Sequence, residues 1–334
     1  MASRPLEVSE AQGIAVSAPR VLIVRFSAIG DCVMAAYAVS ALRRAQPDAH
    51  LVWAADPRCS VVIDREHCVS EVFDIPRDQW KRDRTSWFQQ LRYYARLRKH
   101  EFDFGFDLQG HSKTAVCLRV AGPKRRLAVE SLDPISSLLT PKARTTAVHL
   151  VERMALTIAE LLPVSTIERP FMPGLAAERS SVAKHLQLGR SLVTIHIGAG
   201  AEWKRWPIER WEAVARAIGS EGFKVAFLGA KGDAERPLEN GLDLVGKLTL
   251  AESMAAVAQS ALHLAADTGS GHMAAAQGVP VVSVFGRTNP ARYCPYVVDS
   301  PGVVLQNGAS TELVSVEDVL KAVASIRDTL EPDE

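Results

Sequence analysis

The stretch Val193–Pro207 has the sequence VTIHIGAGAEWKRWP, and its downstream partner Leu264–Pro280 has the sequence LAADTGSGHMAAAQGVP. Each begins as a short apolar run, breaks into small residues and then enters a helical pattern. Each therefore predicts a buried strand that ends in a loop at a helix N-terminus. Such loops bind phosphates in α/β proteins, because the exposed N–H groups and the positive end of the helix favour an anion. We expect the fold to be organised around these two strand-loop-helix units.

The residues of both loops suit an anionic ligand. Glycines, among them Gly271, let a ligand approach the backbone. The hydroxyls of Thr268 and Ser270 and the carboxylate of Asp267 can cap a helix or contact the ligand. Lys204 is either a solvated residue before a helix or a phosphate contact, and its place beside two glycines and a Pro-initiated helix favours phosphate contact. His272, one turn into the second helix, either contacts the ligand or packs against the strand. The predicted contacts are Gly198, Gly200, Lys204, Asp267, Thr268 and Gly269.

Short apolar runs alternate with helical patterns on both sides of residues 163–173, a Pro-containing segment. This alternation predicts an α/β protein with doubly wound parallel sheets in two domains, residues 20–165 and 166–334, after a flexible leader, residues 1–19. Residues 119–126 are interpreted as a basic turn and residues 131–146 as irregular. The predicted strands are Val21–Arg25, Leu51–Ala55, Val72–Ile75, Phe102–Leu108, Leu192–Ile197, Lys224–Leu228, Ala261–Ala265 and Val281–Phe285.

The composition is that of a globular protein. The chain has 334 residues, 47% of them hydrophobic, and a net charge of +1, so neither disorder nor a nucleic-acid partner is indicated. Its five cysteines are scattered without a CxxC or Cys/His pattern, which predicts reduced thiols in a cytoplasmic protein and no metal site. No apolar run approaches the roughly 20 residues that span a bilayer, so any membrane contact is expected to be peripheral.

Several motifs of other enzyme classes are missing from the sequence. There is no GxGxxG after the first strand and no GxxxxGK[ST], which argues against a dinucleotide oxidoreductase and a P-loop NTPase. GxSxG and HExxH are also missing. The remaining chemistry is that of acids, bases and phosphates without a metal.

Asp31 follows the first predicted strand, where an open α/β sheet places its ligands. It is either the N-cap of a helix that starts at Cys32 or a base that accepts a proton from a substrate hydroxyl. Gln109, His111 and Lys113 form a second polar cluster, after the strand Phe102–Leu108.

The segment Arg77–Lys99 is basic and aromatic, with the sequence RDQWKRDRTSWFQQLRYYARLRK. By itself it favours an amphipathic helix with inward aromatics and solvated charges. The alternative is an anion-binding lip.

FSAIGD, DLQGHSK, GAGAEWKRWP and ADTGSGHMAAAQGVPVVSVFG resemble, in this order, the motifs of glycosyltransferase family 9, the bacterial heptosyltransferases of lipopolysaccharide core synthesis. RDQWKR, DLQGHSK and HLVER resemble the heptosyltransferase I branch more than the heptosyltransferase II branch. The resemblance implies a GT-B fold, with two Rossmann-like domains facing a cleft. It also implies inverting, metal-independent transfer of heptose from ADP-heptose to a Kdo residue of lipid A-linked core. The implied enzyme has no cofactor and is a monomer in the cytoplasm, peripheral to the inner membrane.

The resemblance also implies roles for individual residues. Asp31 is the general base on the acceptor hydroxyl, and Lys204 contacts the donor diphosphate. Asp267, Thr268 and Gly269 lie around phosphate and heptose, and either Asp233 or Glu235 binds the ribose. The implied acceptor contacts, several of them basic to match anionic Kdo and lipid A phosphates, are Ser27, Gly30, Lys81, Arg82, Gln109, His111, Lys113 and Arg153.

This need for cationic contacts moves the interpretation of Arg77–Lys99 toward anion binding. GAGAEW departs from some relatives because it has no Ser or Thr to offer the phosphate a hydroxyl. Two alternatives stay open at this point. One is a family 9 transferase with another nucleotide sugar or acceptor, and the other is a noncatalytic nucleotide-sugar-binding protein.

Overall fold

Strands in the first half of the chain form one parallel sheet in the order β3-β2-β1-β4-β5. The computed structural model describes residues 18–82, 87–184, 186 and 192–327, except the side chains of residues 81 and 82. The predicted leader, residues 1–19, lies outside this part apart from its last two residues. The strands are β1 Arg20–Val24, β2 His50–Ala55, β3 Glu71–Asp74, β4 Phe104–Asp107 and β5 Arg125–Ala128.

Helices cover this sheet because its central strands are apolar on both faces. Val21, Leu22, Ile23 and Val24 of β1 are all fully buried, as expected for the centre of a parallel sheet. A 3₁₀ helix, Arg96–His100, precedes β4. The helices of this half are α1 Ile29–Ala45, α2 Pro57–Ser60, α3 Arg77–Arg82, α4 Trp87–Ala95, α5 Ser112–Ala121, α6 Pro134–Leu139 and α7 Leu150–Ala159.

Strands in the second half form another parallel sheet in the order β11-β10-β9-β6-β7-β8. They are β6 Leu192–His196, β7 Lys224–Leu228, β8 Leu242–Asp243, β9 Leu262–Ala266, β10 Val281–Val284 and β11 Gly302–Leu305. The helices are α8 Ala176–Ala183, α9 Ile208–Ser220, α10 Leu250–Ala258, α11 Gly269–Ala276, α12 Pro290–Tyr293 and α13 Val316–Arg327. Two short 3₁₀ helices, Glu202–Lys204 and Thr311–Leu313, lie in the loops.

The predicted α/β class and its doubly wound parallel sheets are confirmed. The chain divides into two compact units between Pro173 and Gly174, at the end of the predicted boundary segment. The segment itself packs on the first unit, since the Ser165 N–H donates to the Ala41 carbonyl and the Phe171 N–H donates to Ser40 Oγ.

The structure departs from the sequence prediction at β8 and β11, which match none of the predicted strands, and in two segments whose sequence favours another interpretation. The segment interpreted as a basic turn contains the start of β5, which pairs with β4 on one side and meets the chain on its other side only at Ala128 within the described residues, so Arg125 stays exposed. The segment interpreted as irregular contains α6. Asp133 caps α6 by accepting a hydrogen bond from the Ser136 N–H at 2.8 Å, and Pro134 occupies its first turn. Both elements are too short for a periodic apolar pattern, but Asp-Pro-x-Ser is a recognisable capping signal.

Candidate functional site

The strand order of each sheet reverses at one point. In the first sheet β1 lies between β2 and β4, and in the second sheet β6 lies between β7 and β9. Open α/β sheets bind ligands at such reversal points, outside the carboxyl ends of the strands. The loops that follow β1, β4, β6 and β9 carry most of the residues predicted from the sequence. Each unit therefore has its own candidate site at the predicted edge.

Lys204 and Asp267 meet across the reversal point of the second sheet. Lys204 ends the 3₁₀ helix after β6, whereas Asp267 follows β9, and Lys204 Nζ lies 2.6 Å from Asp267 Oδ2. Asp267 is only 7% exposed and Lys204 is 25% exposed. The pair keeps an ammonium group beside the start of α11, where the helix presents free N–H groups.

The Trp203 ring lies close to both Lys204 and a second cation, Arg287. Its centroid lies 5.2 Å from Lys204 Nζ and 4.7 Å from the guanidinium carbon of Arg287. Arg287 follows β10 and is exposed. The sequence showed Arg287 only as part of a polar loop, and its approach to Lys204 depends on β9 and β10 being neighbours. Two cations on one aromatic ring make this edge attractive to an anion.

The predicted glycines have different surroundings. A Cβ on Gly198 would lie 1.9 Å from Asp233 Oδ2, so this glycine makes room for a carboxylate of the same unit. A Cβ on Gly200 would meet nothing within 4 Å. Gly271 faces Ser283 and Pro295, each with an atom 3.3 Å from the Cβ position. The expectation that Gly271 opens the backbone to a ligand is therefore wrong, because its position is packed against the protein.

Asp233 and Glu235 are distinguished by their environments. Asp233 is 12% exposed in its side chain, accepts a 2.6 Å hydrogen bond from the Ala230 N–H and lies 3.2 Å from an Arg205 nitrogen. Both carboxylates line a pocket of about 930 Å³ together with Trp203 and Arg205, but only Glu235 is exposed. Asp233 thus shapes its loop, whereas the Glu235 carboxylate faces open space.

Helix α11 begins inside the second predicted loop. Thr268 is the N-cap residue, Gly269 is the first helical residue, and the hydroxyls of Thr268 and Ser270 lie 2.9 Å apart. His272 is buried at 6% exposure within the helix. The N-terminus of α11 therefore stands directly beside Asp267 and its partner Lys204.

Asp31 lies in the first turn of α1 and is not its N-cap. The helix begins at Ile29 with Ala28 as N-cap, which overturns the prediction of a cap before Cys32. The Asp31 carboxylate accepts a 3.1 Å hydrogen bond from the Ala28 N–H and lies 2.7 Å from Arg25 Nη2. The Arg25 side chain is 5% exposed, whereas Asp31 is 30% exposed. A buried guanidinium therefore orients a carboxylate that solvent can reach.

Arg25 was missed by sequence reasoning, although one signal was present. Arg25 directly follows the apolar run VLIV. Its charged side chain must therefore either reach solvent or be paired with buried polar groups, because an unpaired buried charge is costly. It donates to the Leu108 carbonyl in addition to pairing with Asp31. Arg25 thereby links the loops after β1 and β4.

Ser27 and Gln109 also join these two loops. Gln109 Oε1 accepts hydrogen bonds from the N–H groups of Phe26, at 2.9 Å, and Ser27, at 3.4 Å. The Ser27 hydroxyl accepts a 2.6 Å hydrogen bond from Arg77. Arg77 starts α3 and belongs to the basic segment Arg77–Lys99, whose composition alone does not single it out. Ser27, Gly30, Asp31 and Gln109 thus lie at one reversal point, with Gly30 buried in the first turn of α1.

Asp107 is a buried acid beneath this cluster. Burial raises the pKa of its carboxyl to about 6, although the N–H groups of Gln109 and Gly110 and the Thr114 hydroxyl donate to it. It ends β4 and anchors the turn that presents Gln109. Its role is structural, since it is fully buried.

The remaining predicted acceptor residues lie on helices α3, α5 and α7. His111 is the N-cap of α5 and lies 4.0 Å from Asp133, and Lys113 is exposed two residues later. Arg153, from α7, points to Glu130 at 3.9 Å and is only 16% exposed. Lys81 and Arg82 lie in α3, but their side chains are outside the described part.

The basic aromatic segment shows both predicted features. Trp80 and Tyr93 pack on the hydrophobic core around buried Tyr94, in line with the amphipathic interpretation. Trp87 and Phe88 are 56% and 62% exposed, so two of its aromatics do not pack inward. They lie at the start of α4, beside the gap in the described residues.

The model of glycosyltransferase family 9 (heptosyltransferase) matches residues 90–322, more than half of the chain. The chain belongs to glycosyltransferase family 9. This family 9 enzyme is 29% identical to lipopolysaccharide heptosyltransferase 1 of Pseudomonas aeruginosa, over 81% of this chain and 79% of the relative. It is 25% identical to lipopolysaccharide heptosyltransferase 1 of Escherichia coli K12, over 81% of this chain and 89% of that relative.

Solved structures share the fold of this family 9 glycosyltransferase. The glycosyltransferase family 9 protein of Veillonella parvula superposes with a TM-score of 0.81 at 19% identity, covering 96% of this chain and 100% of that one. The E. coli heptosyltransferase WaaC with ADP has a TM-score of 0.75 at 20% identity, covering 92% and 99%. The predicted GT-B class, with two Rossmann-like units, is thus confirmed.

Proposed function

We propose that this family 9 enzyme transfers L-glycero-D-manno-heptose from ADP-heptose to a Kdo residue of the lipopolysaccharide inner core. We further propose that the transfer inverts the anomeric centre and uses no metal ion at the reacting atoms. The observation that carries the proposal is the Lys204–Asp267 pair, which holds an ammonium at the strand-order reversal of the second sheet. Two relatives are named lipopolysaccharide heptosyltransferase 1, and WaaC has also been solved with ADP-2-deoxy-2-fluoro heptose.

On the donor side, Lys204 and the N-terminus of α11 would receive the diphosphate. Negative charge grows on the leaving diphosphate as the glycosidic bond breaks, so these groups stabilise the transition state more than the ground state. Arg287, stacked on Trp203, adds charge to the same edge. Glu235, rather than Asp233, is the proposed partner of the ribose hydroxyls because its carboxylate is exposed.

On the acceptor side, Asp31 would take the proton of the attacking Kdo hydroxyl. The oxygen then bonds to the anomeric carbon from the face opposite ADP, and the carbon–oxygen bond to the diphosphate breaks. Arg25 keeps the Asp31 carboxylate in one orientation, which general base catalysis requires. Arg77, Lys81, Arg82, Lys113 and Arg153 are the proposed cationic contacts for the acceptor's carboxylates and phosphates.

The lipid-linked acceptor implies work at a membrane surface. Within the part of the chain that the structure describes, no helix is long and apolar enough to cross a bilayer. We propose a monomer that acts at the cytoplasmic face of the inner membrane, in peripheral contact with it. Exposed Trp87 and Phe88 of the acceptor-side unit support such a contact.

The experiment measures ADP release from ADP-heptose, with and without de-O-acylated Kdo2-lipid A, for the wild type, Asp31→Asn and Asp31→Glu. Acceptor-dependent release is expected in the wild type. We expect both variants to lose at least about 100-fold in turnover, because general base catalysis contributes about that much or more. ADP affinity should be unchanged in both, since Asp31 belongs to the unit that does not hold the donor.

The matched control is Asp48→Asn, the same chemical change at the exposed turn after α1. Asp31→Glu retains the charge opposite buried Arg25, so it separates loss of the base position from loss of the ion pair. Asp31→Asn turning over at the wild-type rate would remove Asp31 from the mechanism. Acceptor-independent or absent release in the wild type would instead indicate another donor or acceptor.

A further inference from the structure

Three potential metal ligands meet at the edge of the first sheet that lies opposite Asp31. His50 begins β2, Glu71 begins β3 and His100 ends the 3₁₀ helix before β4. Since the strands are parallel, their amino-terminal ends share one edge, and the candidate catalytic residues follow the carboxyl ends. The cluster is therefore separate from the site proposed for transfer.

The strand periodicity brings His50 and Glu71 to the same face. Alternate residues of a strand point to one side, so His50 lies on the face of Val52, and Glu71 on the face of Phe73. Val52 and Phe73 both belong to the core that also includes Leu97 of the 3₁₀ helix. His100, three residues after Leu97, reaches the same face at its border with solvent.

The three side chains are close enough to converge on one ion after a small movement. One ligand atom from each of the three side chains lies within 4.8 Å of the others, and His100 Nε2 is 3.7 Å from Glu71 Oε2. The two imidazole centroids are 5.5 Å apart. Two imidazoles on one tetrahedral zinc, with Zn–N bonds of about 2.0 Å, have centroids about 5 Å apart. The side chains of His50 and Glu71 are partly exposed and can move toward His100 to complete this geometry.

His100 also has an unmet polar atom. Its side chain is 10% exposed, and Nε2 is buried without a hydrogen-bond partner among the residues that the structure describes. Buried polar atoms are nearly always satisfied, so this nitrogen calls for a partner. The carboxylate of Glu71 is too distant for a hydrogen bond at 3.7 Å, but a cation between the two would contact both.

We propose that His50, Glu71 and His100 bind one divalent transition-metal ion of the zinc class, with water in the fourth position. Two histidines and one carboxylate form a known donor set for such ions. Lys99 and Arg20 are positive charges that act on His100, and Arg20 is engaged with Glu101 at 3.2 Å and with the His100 carbonyl at 3.1 Å. The ion joins β2, β3 and the 3₁₀ helix, and it stabilises the first unit without taking part in transfer.

Zinc is the probe for the test. Full-length protein is treated with a chelator, dialysed and titrated with ZnCl₂ by calorimetry, for the wild type and for His50→Gln, Glu71→Gln and His100→Gln. The wild type should bind one zinc ion, and each substitution should raise the Kd for zinc by at least about tenfold. Even the loss of a group that only hydrogen-bonds to a metal ligand lowers metal affinity by about that factor. Zinc should also raise the melting temperature of the wild type but not of the variants.

His67→Gln is the matched control, because His67 is an exposed histidine beside two carboxylates, those of Glu66 and Asp64. It should bind zinc as the wild type does. Glu71→Gln, at a partly exposed position, provides a folded variant if the loss of His100 disturbs the core. Zinc binding that all three substitutions leave unchanged would overturn the proposal, as would a wild type that binds no zinc. Heptosyl transfer with the stripped enzyme tests the proposed function independently.

Discussion

Lys204 forms an ion pair with Asp267 and also lies where the proposed donor diphosphate would bind. Asp267 is 7% exposed, so the removal of Lys204 leaves a nearly buried carboxylate without its closest cation. The pair also sets the position of the ammonium before any ligand arrives. Such preorganisation lowers the cost of ordering a flexible lysine when the donor binds.

Lys204→Met should weaken ADP binding by about 1.5–3 kcal/mol, the range for a hydrogen bond to a charged group, which is roughly 10- to 100-fold in Kd. Turnover should fall further, because the ammonium acts most strongly on the charge that develops in the transition state. Calorimetric ADP titration and the ADP-release assay measure the two effects.

Lys321→Met is the matched control for this change. It breaks the Lys321–Glu317 pair, whose atoms are 2.8 Å apart but whose side chains are 72% and 76% exposed. Exposed pairs contribute little, so ADP binding and stability should stay at wild-type values. Equal ADP affinity in Lys204→Met and the wild type would exclude Lys204 from the donor site.

Asp107 should make the first unit less stable as the pH rises. Burial raises the folded pKa to about 6, above the usual value of 3.8, so the folded state binds more protons than the unfolded state between these values. The stabilisation is complete below pH 3.8 and is lost as the pH passes 6. The loss amounts to about 3 kcal/mol, as an order of magnitude. Asp107→Asn should abolish this dependence.

The measurement is hydrogen exchange of β1 and β4 amides at pH 4.5 and 7.5, corrected for intrinsic exchange rates. Asp103→Asn is the comparison at the other end of β4, since Lys124 lowers the pKa of Asp103. Stability from Asp103 is present at neutral pH and is lost as the pH falls, so its removal changes the slope in the opposite direction. A wild-type slope that Asp107→Asn leaves unaltered would contradict the assignment.

At the scale of elements, the loop after β6 depends on one glycine far more than on its neighbour. A Cβ on Gly198 would collide with Asp233 at 1.9 Å, whereas a Cβ on Gly200 would meet nothing within 4 Å. Gly198→Ala should therefore destabilise the second unit by about 1–3 kcal/mol through overpacking, and Gly200→Ala should stay within about 0.5 kcal/mol of the wild type. Urea unfolding followed by the fluorescence of the tryptophans measures both.

Gly198→Ala should also alter the proposed donor site. Asp233 contacts Arg205, next to Lys204 in the loop after β6, and the Ala230 N–H in its own loop after β7, which also carries Glu235. Displacement of Asp233 should therefore shift both loops. ADP affinity is expected to fall in Gly198→Ala and to be kept in Gly200→Ala. Comparable stability in the two alanine variants would show that the close approach of Asp233 is not required.

At the scale of the whole molecule, the two units should respond oppositely to acid. His263, on β9, is fully buried, and burial lowers its pKa to about 3 from 6.5. The unfolded state then binds more protons, so stability is present above pH 6.5 and is lost progressively as the pH falls toward 3. The second unit should lose about 2 kcal/mol between pH 6.5 and 5, while Asp107 favours the first unit over the same interval.

Differential scanning calorimetry at pH 5 and 7.5, with hydrogen exchange to assign each transition to a unit, tests this contrast. His263→Gln should reduce the acid sensitivity of the second transition alone. ADP should raise the same transition, because its proposed site lies within the second unit. Parallel shifts of both transitions in the histidine variant would rule out the proposed origin.

Strands could be located from the sequence where a continuous apolar run marks them. The strands around Val193 and Leu264 are long apolar runs in a parallel sheet, so their ends and the loops after them could be placed within one or two residues. Short or edge elements such as β5 and α6 could not, because half-buried segments of four to six residues have no distinctive period.

The sequence by itself determined the fold class and the residues at the carboxyl ends of the strands, since period, small loops and helix starts are properties of neighbouring residues. Only the tertiary structure decided which of them meet. Arg25 with the Leu108 carbonyl, Lys204 with Asp267, and His50 with Glu71 and His100 are brought together by strand order and parallel pairing. Contacts between distant segments depend on the topology of the whole sheet, and no local pattern encodes that topology.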